Sequence, residues 1–263
     1  MSGFLLGLFL SCSTAVERGE AALERDDLLS AEREFRIALD AAPDDPDALY
    51  GLGWTFHQAQ ETGPARDAFA RLVKVHPALP QGYRGLGSLF ASEGNLPAAR
   101  VQLELALGVA PDDPAANQSL ALVELGESKP ADALARLERA AAAHPDRSEL
   151  DHTRAVALLA LGRAEDALAA AEVAVQRATS PRGLTAARIT WVEAALQTSD
   201  DRIDPAACPE TAPPVRAWLD AADHVLDEAE ASGALRQITA DMRRQVRRRR
   251  AFVEDTCQLG DGN

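Results

Sequence analysis

Residues 80–111, PQGYRGLGSLFASEGNLPAARVQLELALGVAP, contain two helical patterns in succession. The first half carries apolar residues at helical spacing, and Gly94 and Asn95 then interrupt the pattern. Pro97 suits the first turn of a second helix, and Pro111 ends that helix. The stretch therefore predicts two helices joined by a short turn, which is a helical hairpin.

The same pattern returns along the chain with a period of 34 residues. Prolines recur at this spacing, at Pro43, Pro77, Pro111 and Pro145. So do alanines, at Ala31, Ala65, Ala99, Ala133 and Ala167. Four positions after each alanine stands an apolar residue that is large in every copy but the last: Phe35, Phe69, Leu103, Leu137 and Ala171. A fixed period of this length indicates an array of structural repeats.

This order of small, large and proline positions resembles the tetratricopeptide repeat family. The resemblance covers residues 12–181 as five copies, which we place at 12–45, 46–79, 80–113, 114–147 and 148–181. It implies an all-α fold, in which about five helical hairpins stack into a right-handed superhelix with a concave groove. The first and fifth copies depart from the pattern, as terminal repeats often do.

Residues 182–257 lack the period and predict a helical cap on the last repeat. One amphipathic helix is expected over 184–198, and two further helices at about 215–231 and 234–257. Between them, the aspartate- and proline-rich stretch 198–214 predicts a loop. We expect the tail at 258–263 to fray.

The amino terminus, residues 1–11, has the length and apolar character of a signal-peptide core. Its end, Leu10-Ser11-Cys12, resembles the end of a bacterial lipoprotein signal, in which the cysteine is acylated. Phe9 and the absence of a preceding basic residue depart from that pattern. The resemblance implies lipidation at Cys12 and a place on the periplasmic side of a bacterial membrane. The alternative is an ordinary apolar terminus on a cytoplasmic protein.

The composition argues against catalysis and against polyanion binding as the main activity. The formal net charge of −14 repels nucleic acid and anionic lipid at long range, so nucleic acid is not the expected partner. No nucleophile–base set, paired metal ligands or phosphate-binding glycine loop is recognisable in the sequence. We therefore predict a protein that is not an enzyme and has no cofactor and no metal site.

An arginine cluster near the carboxyl end is the exception to the acidic charge. It consists of Arg243, Arg244, Arg247, Arg248, Arg249 and Arg250. One hypothesis is that this helix binds a polyanion or an acidic partner. The other is that these arginines are solvated and pair with the surplus aspartates and glutamates of the chain.

The family resemblance also implies a binding site, because the first helix of each hairpin lines the concave groove. The residues at these positions are Tyr50, Trp54, His57, Gln81, Arg84, Ser88, Gln118, Leu122, Leu125, His152, Val156 and Leu159. Those of copies 2 and 3 form an aromatic patch beside a cation, a composition enriched at interaction hot spots. Those of copies 4 and 5 are mostly apolar and suit an amphipathic or extended partner segment. We expect Trp54 and Arg84 to be exposed and to contribute little to the fold. Alternatively, the carboxy-terminal helices fold back and fill the groove, or these residues pack within the superhelix.

The function predicted from these features is that of a protein-interaction scaffold. The leading hypothesis is a lipid-anchored protein assisting an envelope assembly, since the layout is similar to that of the tetratricopeptide lipoproteins called pilotins, which serve type IV pili. The alternatives are a soluble cytoplasmic adaptor and a polyanion-binding protein that uses the arginine-rich helix.

Three cysteines bear on the compartment. If Cys12 is acylated, Cys208 and Cys257 are left as an even pair beyond the repeats. The two last helices are expected to form a hairpin, which would return Cys257 towards the loop that carries Cys208. A disulfide between them would indicate an oxidising compartment. Two unpaired thiols remain the alternative.

Overall fold

The computed structural model describes residues 14–202, 208–231 and 236–258, and every regular element in these ranges is an α-helix. This confirms the predicted all-α class. Helix α1 covers 14–24. The helices that follow are α2 (Leu28–Ala41), α3 (Pro46–Gln58), α4 (Thr62–Val75), α5 (Pro80–Ser92), α6 (Leu96–Val109), α7 (Pro114–Gly126), α8 (Pro130–Ala143), α9 (Ser148–Ala160), α10 (Ala164–Arg177), α11 (Pro181–Arg202), α12 (Cys208–Ala231) and α13 (Arg236–Gln258). Among these residues, no helix combines the length and apolar character that a bilayer crossing requires.

Short turns with conventional caps join the helices into hairpins. After α5, Gly94 takes a left-handed backbone angle, φ +76°, which a residue without Cβ adopts at little cost. The Asn95 side chain then accepts a hydrogen bond from the Ala98 amide at 3.2 Å and caps α6. The pairs α3–α4, α5–α6 and α9–α10 pack together as hairpins.

Aspartate–proline pairs start two of the first helices, α3 and α7, and each pair ends a Pro-Asp-Asp-Pro sequence, at residues 43–46 and 111–114. The carboxylates of Asp45 and Asp113 accept hydrogen bonds at 2.8 Å from the Ala48 and Ala116 amides, respectively. The proline that follows each aspartate lies in the first helical turn, where its missing N–H leaves no bond unmade.

Phenylalanines of the second helices are wedged between successive first helices, because glycines face their rings. A Cβ added to Gly53 of α3 or to Gly85 of α5 would lie closer than 3.0 Å to the ring of Phe69. One period earlier, Gly19 and Gly51 face Phe35 in the same way. Both phenylalanines are fully buried. Glycine at these positions therefore lets a whole aromatic ring occupy each helix junction.

The contacts divide the chain into two compact units, one ending at Glu127 and the other beginning at Ser128. In the first unit, the core clusters form around Phe35, Phe69 and Leu103. The second unit contains a cluster built by α11, α12 and α13. The predicted copy 114–147 thus has its first helix in one unit and its second helix in the other.

The stretch predicted as a loop at 198–214 is largely helical. Helix α11 continues to Arg202, and α12 begins at Cys208 with two prolines in its second turn. Residues Cys208, Ala212, Val215 and Leu219 are all buried in one cluster. Their helical spacing gives α12 a continuous apolar face, and its burial offsets the hydrogen bonds that the prolines cannot donate.

Candidate functional site

The first helices α3, α5 and α7 lie side by side in the first unit, with α3 against α5 and α5 against α7. They carry nine of the twelve predicted groove residues: Tyr50, Trp54 and His57; Gln81, Arg84 and Ser88; Gln118, Leu122 and Leu125. None of the nine is fully buried. We call this surface the groove wall.

Three aromatic side chains of α3 form one connected patch on the groove wall. The Trp54 ring lies edge-on to Tyr50, with centroids 6.0 Å apart, and 5.2 Å from the ring of His57. Both Tyr50 and Trp54 also lie 6.0 Å from the buried ring of Phe69. Because the patch rests on a core residue, its side chains are held in place before any partner binds.

Arg84 is not the exposed cation that the sequence predicted. Its guanidinium donates hydrogen bonds to the Tyr50 hydroxyl at 2.7 Å and to the Asp113 carboxylate at 3.2 Å. It also lies over the Tyr50 ring, 5.2 Å from the centroid. The Arg84 and Asp113 side chains are only 16% and 13% exposed. Arg84 therefore connects α3, α5 and the start of α7, and we expect its loss to weaken the fold.

Gln81 and His57 complete the description of the groove wall. The Gln81 Oε1 atom is buried and accepts no hydrogen bond from any described residue, so it is an acceptor without a donor there. Burial lowers the pKa of His57, which keeps its imidazole neutral at neutral pH. Since Arg84 is already paired, this part of the wall is aromatic and polar with little free charge.

The remaining three predicted groove residues, His152, Val156 and Leu159, belong to α9 in the second unit. His152 Nε2 lies 3.1 Å from Thr190 Oγ1 of α11, and α9 packs against α11. Burial lowers the pKa of His152 as well. The His152 side chain thus takes part in packing between helices of its own unit.

Part of the arginine cluster is neutralised by the neighbouring helix. Arg243 pairs with Asp227 at 2.6 Å, and Arg250 pairs with both Asp220 and Asp223 at 2.8 Å. These aspartates all belong to α12. For Arg243 and Arg250, the contacts favour the hypothesis of pairing with the acidic surplus over the polyanion hypothesis.

Two of the three cysteines form the pair that the sequence suggested. Cys208 and Cys257 are joined in a disulfide, with their Cα atoms 5.4 Å apart. The bridge connects the start of α12 to the end of α13. Cys12, the predicted lipidation site, lies outside the described residues. Within those residues, no group of three His, Cys, Asp or Glu side chains is placed to hold a metal ion.

The sequence analysis missed a groove between α11 and α13, whose lining includes Leu196, Gln245 and Arg248. A signal was present, because Ile238, Met242 and Phe252 form an apolar stripe on the arginine-rich helix. Polar and charged residues surround that stripe along the helix. The pairing of Asp113 with Arg84 was also not predicted from the sequence.

Solved structures share this fold. TTC0263, a thermophilic tetratricopeptide repeat protein of Thermus thermophilus, is 26% identical over 70% of this chain and 99% of its own, with a TM-score of 0.63. PilF of Pseudomonas aeruginosa is 19% identical over 74% of this chain and 93% of its own, with a TM-score of 0.56. In the Cut9–Hcn1 complex of the APC/C, the matching chain is 17% identical, covering 93% of this chain and 46% of its own, with a TM-score of 0.69.

A comparison with curated proteins gives no match. A model of the tetratricopeptide repeat family, in contrast, matches residues 16–63, 62–114 and 119–181, which together make up more than half of the chain. The matched residues contain the hairpins described above and eight of the nine groove-wall residues, all but Gln118. The chain therefore belongs to the tetratricopeptide repeat family, whose fold is that of a protein-interaction scaffold and is generally without catalytic activity.

Proposed function

We propose that the chain is a lipid-anchored, extracytoplasmic scaffold that holds a segment of a partner protein against the groove wall. The observation that carries the proposal is the aromatic patch of Tyr50, Trp54 and His57, which is partly exposed and rests on the buried Phe69. Aromatic side chains fixed in this way provide large contact area at a small entropic cost, which is typical of binding hot spots.

The chemistry of the wall favours an apolar partner segment over a charged one. Arg84 is already paired with Asp113, and His57 is neutral, so neither supplies a free charge. Leu122 adds an exposed apolar side chain from α7. An extended or amphipathic segment with large apolar side chains matches these groups.

Two observations support an envelope location. The sequence Leu10-Ser11-Cys12 resembles the end of a lipoprotein signal, and a disulfide between Cys208 and Cys257 is the kind of bond that persists in oxidising compartments. A scaffold anchored there would assist an envelope assembly in the manner of a pilotin. The likeness to PilF is one of fold and motivates this part of the proposal without identifying the partner.

A photocrosslinking amino acid tests the groove wall when it is placed on a first helix and, as a control, on a second helix. Leu122 on α7 is 51% exposed, and Leu105 on α6, a second helix, is 47% exposed, so the two leucines form a matched pair. We expect p-benzoylphenylalanine at Leu122 to give a discrete crosslink in native envelopes, and the same group at Leu105 to give none. The Trp54→Ala substitution should abolish the crosslink. Equal crosslinking at both positions, or a crosslink that is insensitive to Trp54→Ala, would refute the site.

Labelling with radioactive palmitate tests the anchor separately. The wild-type chain should incorporate label and fractionate with membranes, and Cys12→Ser should lose both properties while keeping the groove crosslink in detergent extracts. An unlabelled chain in the cytosolic fraction would favour the alternative of a cytoplasmic adaptor.

A further inference from the structure

The second unit contains an open groove between α11 and α13. Helix α12 packs extensively against both helices, whereas α11 and α13 touch over a shorter stretch. Two cavities of about 580 Å³ and about 350 Å³ lie along this seam. Both are lined by Leu196 and Gln245, so they form one continuous groove.

The groove has an apolar floor, although α13 is mostly polar. Leu196 of α11 and Ile238, Met242 and Phe252 of α13 contribute side chains to it. Ile238 and Phe252 are exposed, which is unusual for large apolar residues unless a partner covers them. They are 14 residues apart, or about 21 Å along a helix, which matches the length of a four-turn helical ligand.

The charges along the groove are segregated. Glu193 and Asp241 line one end, where Asp241 pairs with Arg244 at 2.8 Å. The other end is lined by Arg248 and Arg249 and, among the described residues, by no carboxylate. Arg243 and Arg250 pair instead with aspartates of α12. Within the arginine cluster, Arg243 and Arg250 are therefore paired with α12, whereas Arg248 and Arg249 line the groove.

We propose that this groove docks an amphipathic helix of a partner protein. Its apolar face would cover Leu196, Ile238 and Phe252, and acidic side chains in its last turn would lie beside Arg248. A helix carries partial negative charge at its carboxyl end and partial positive charge at its amino end. The arginines and Glu193 therefore favour one orientation, in which the bound helix runs parallel to α13.

The same features argue against other ligands. A nucleic acid or a flat anionic membrane would gain nothing from the apolar floor, and the net charge of −14 repels both at long range. A concave groove between two helices is instead the geometry that binds an amphipathic helix through its apolar face. The inference concerns residues of the second unit only, so it does not depend on the groove wall.

Three stapled helical peptides of about 15 residues, a length matched to the groove, serve as probes. The first has leucines on one face and glutamates in its last turn. The second keeps the glutamates but has serines in place of the leucines, and the third keeps the leucines but has lysines in place of the glutamates. Fluorescence anisotropy should show binding of the first peptide, and affinity about tenfold lower or worse for the other two.

Neighbouring arginines provide the matched variants. Arg247 and Arg248 are both exposed and form no ion pair with a described residue, but only Arg248 lines the groove. Arg248→Glu should weaken binding of the acidic leucine peptide about tenfold and improve binding of the lysine peptide, and Arg247→Glu should do neither. Equal binding of the leucine and serine peptides would overturn the proposal in favour of a simple charged patch. Binding only to phosphatidylglycerol vesicles would overturn it in favour of a lipid surface.

Discussion

Glycines in the first helices let the bulky residues of the second helices pack directly against the backbone of the first helices. Phe69 lies between Gly53 and Gly85, and a Cβ at either glycine would overlap its ring. One period later the buried residue is Leu103, which is smaller, and the position equivalent to Gly85 is Ser119. The size of the large residue and the size of its neighbour thus change together from one copy to the next.

This pairing predicts the outcome of a double-mutant cycle. Gly85→Ser should destabilise the chain by about 1–3 kcal/mol, because the added atoms overlap a fully buried ring. In the Phe69→Leu background, which reproduces the pairing of Leu103 with Ser119, the cost should be smaller by about 0.5–3 kcal/mol. Urea denaturation followed by circular dichroism measures each free energy of unfolding.

Gly108 is the matched control, because it lies inside α6 with no atom within 4 Å of an added Cβ. Gly108→Ala should stabilise the chain by about 0.5–1 kcal/mol, the usual gain when alanine replaces glycine inside a helix. Additive effects of Gly85→Ser and Phe69→Leu would show that the ring and the glycine do not constrain each other.

The sequence contained part of the information for this packing. The 34-residue spacing of prolines, alanines and large apolar residues predicted the hairpins. It did not predict which side chain each glycine would face, because a wedge between two first helices is a contact between neighbouring copies. Periodicity gives the position of a residue within its copy but not its partner in the next one.

At the scale of the helices, Arg84 shows why the candidate site was only partly predictable. Its position on the groove side of α5 follows from the repeat, but its exposure does not. The hydroxyl of Tyr50, 34 residues earlier, and the carboxylate of Asp113, 29 residues later, come within hydrogen-bonding distance only when three helices stack. A residue that looks free in one copy is therefore held by the preceding copy and by the residue that caps the next first helix.

Arg84→Met should accordingly lower the free energy of unfolding by about 1–3 kcal/mol, since it leaves the largely buried Asp113 without its cation. Arg36→Met should cost less than about 0.5 kcal/mol, because Arg36 makes an exposed pair with Glu32 one turn away. Adding Asp113→Asn to Arg84→Met should recover part of the loss, because asparagine still caps α7 and carries no charge. Chemical denaturation of the wild-type chain and the three variants measures these differences. If Arg84→Met unfolds no earlier than Arg36→Met, the arginine has no structural role.

The stretch 198–214 illustrates the opposite error. Its aspartates and prolines are typical of a loop, and local preference alone would make it one. Helix α12 nevertheless begins at Cys208, because Ala212, Val215 and Leu219 enter a core formed with α11 and α13. Burial against other helices therefore outweighed the local preference for a loop. The residues of the stretch alone do not contain this information.

At the scale of the whole molecule, the chain is two compact units although its repeat pattern is continuous. The 34-residue period runs through Glu127 and Ser128 without interruption. The cores that give each unit its own stability lie elsewhere, around Phe69 in the first and among the last three helices in the second. The two cores should therefore respond differently to a perturbation that touches only one of them.

Reduction of the disulfide is such a perturbation, because Cys208 and Cys257 are 49 residues apart in sequence and both lie in the second unit. Reduction should lower the free energy of unfolding by about 4 kcal/mol at most, because the unfolded chain gains conformational entropy when a loop of this size is opened. A Cys12→Ser background leaves this pair as the only cysteines. In this background, reductant should lower the melting temperature, and amide exchange should rise first in α12 and α13, then in α11, and least in α3–α6.

The control with Cys208→Ala and Cys257→Ala should show the same low melting temperature with and without reductant. An unchanged melting temperature on reduction, or a rise in exchange that is as large in α3–α6 as in α12 and α13, would show that the bridge does not stabilise a separate carboxy-terminal core.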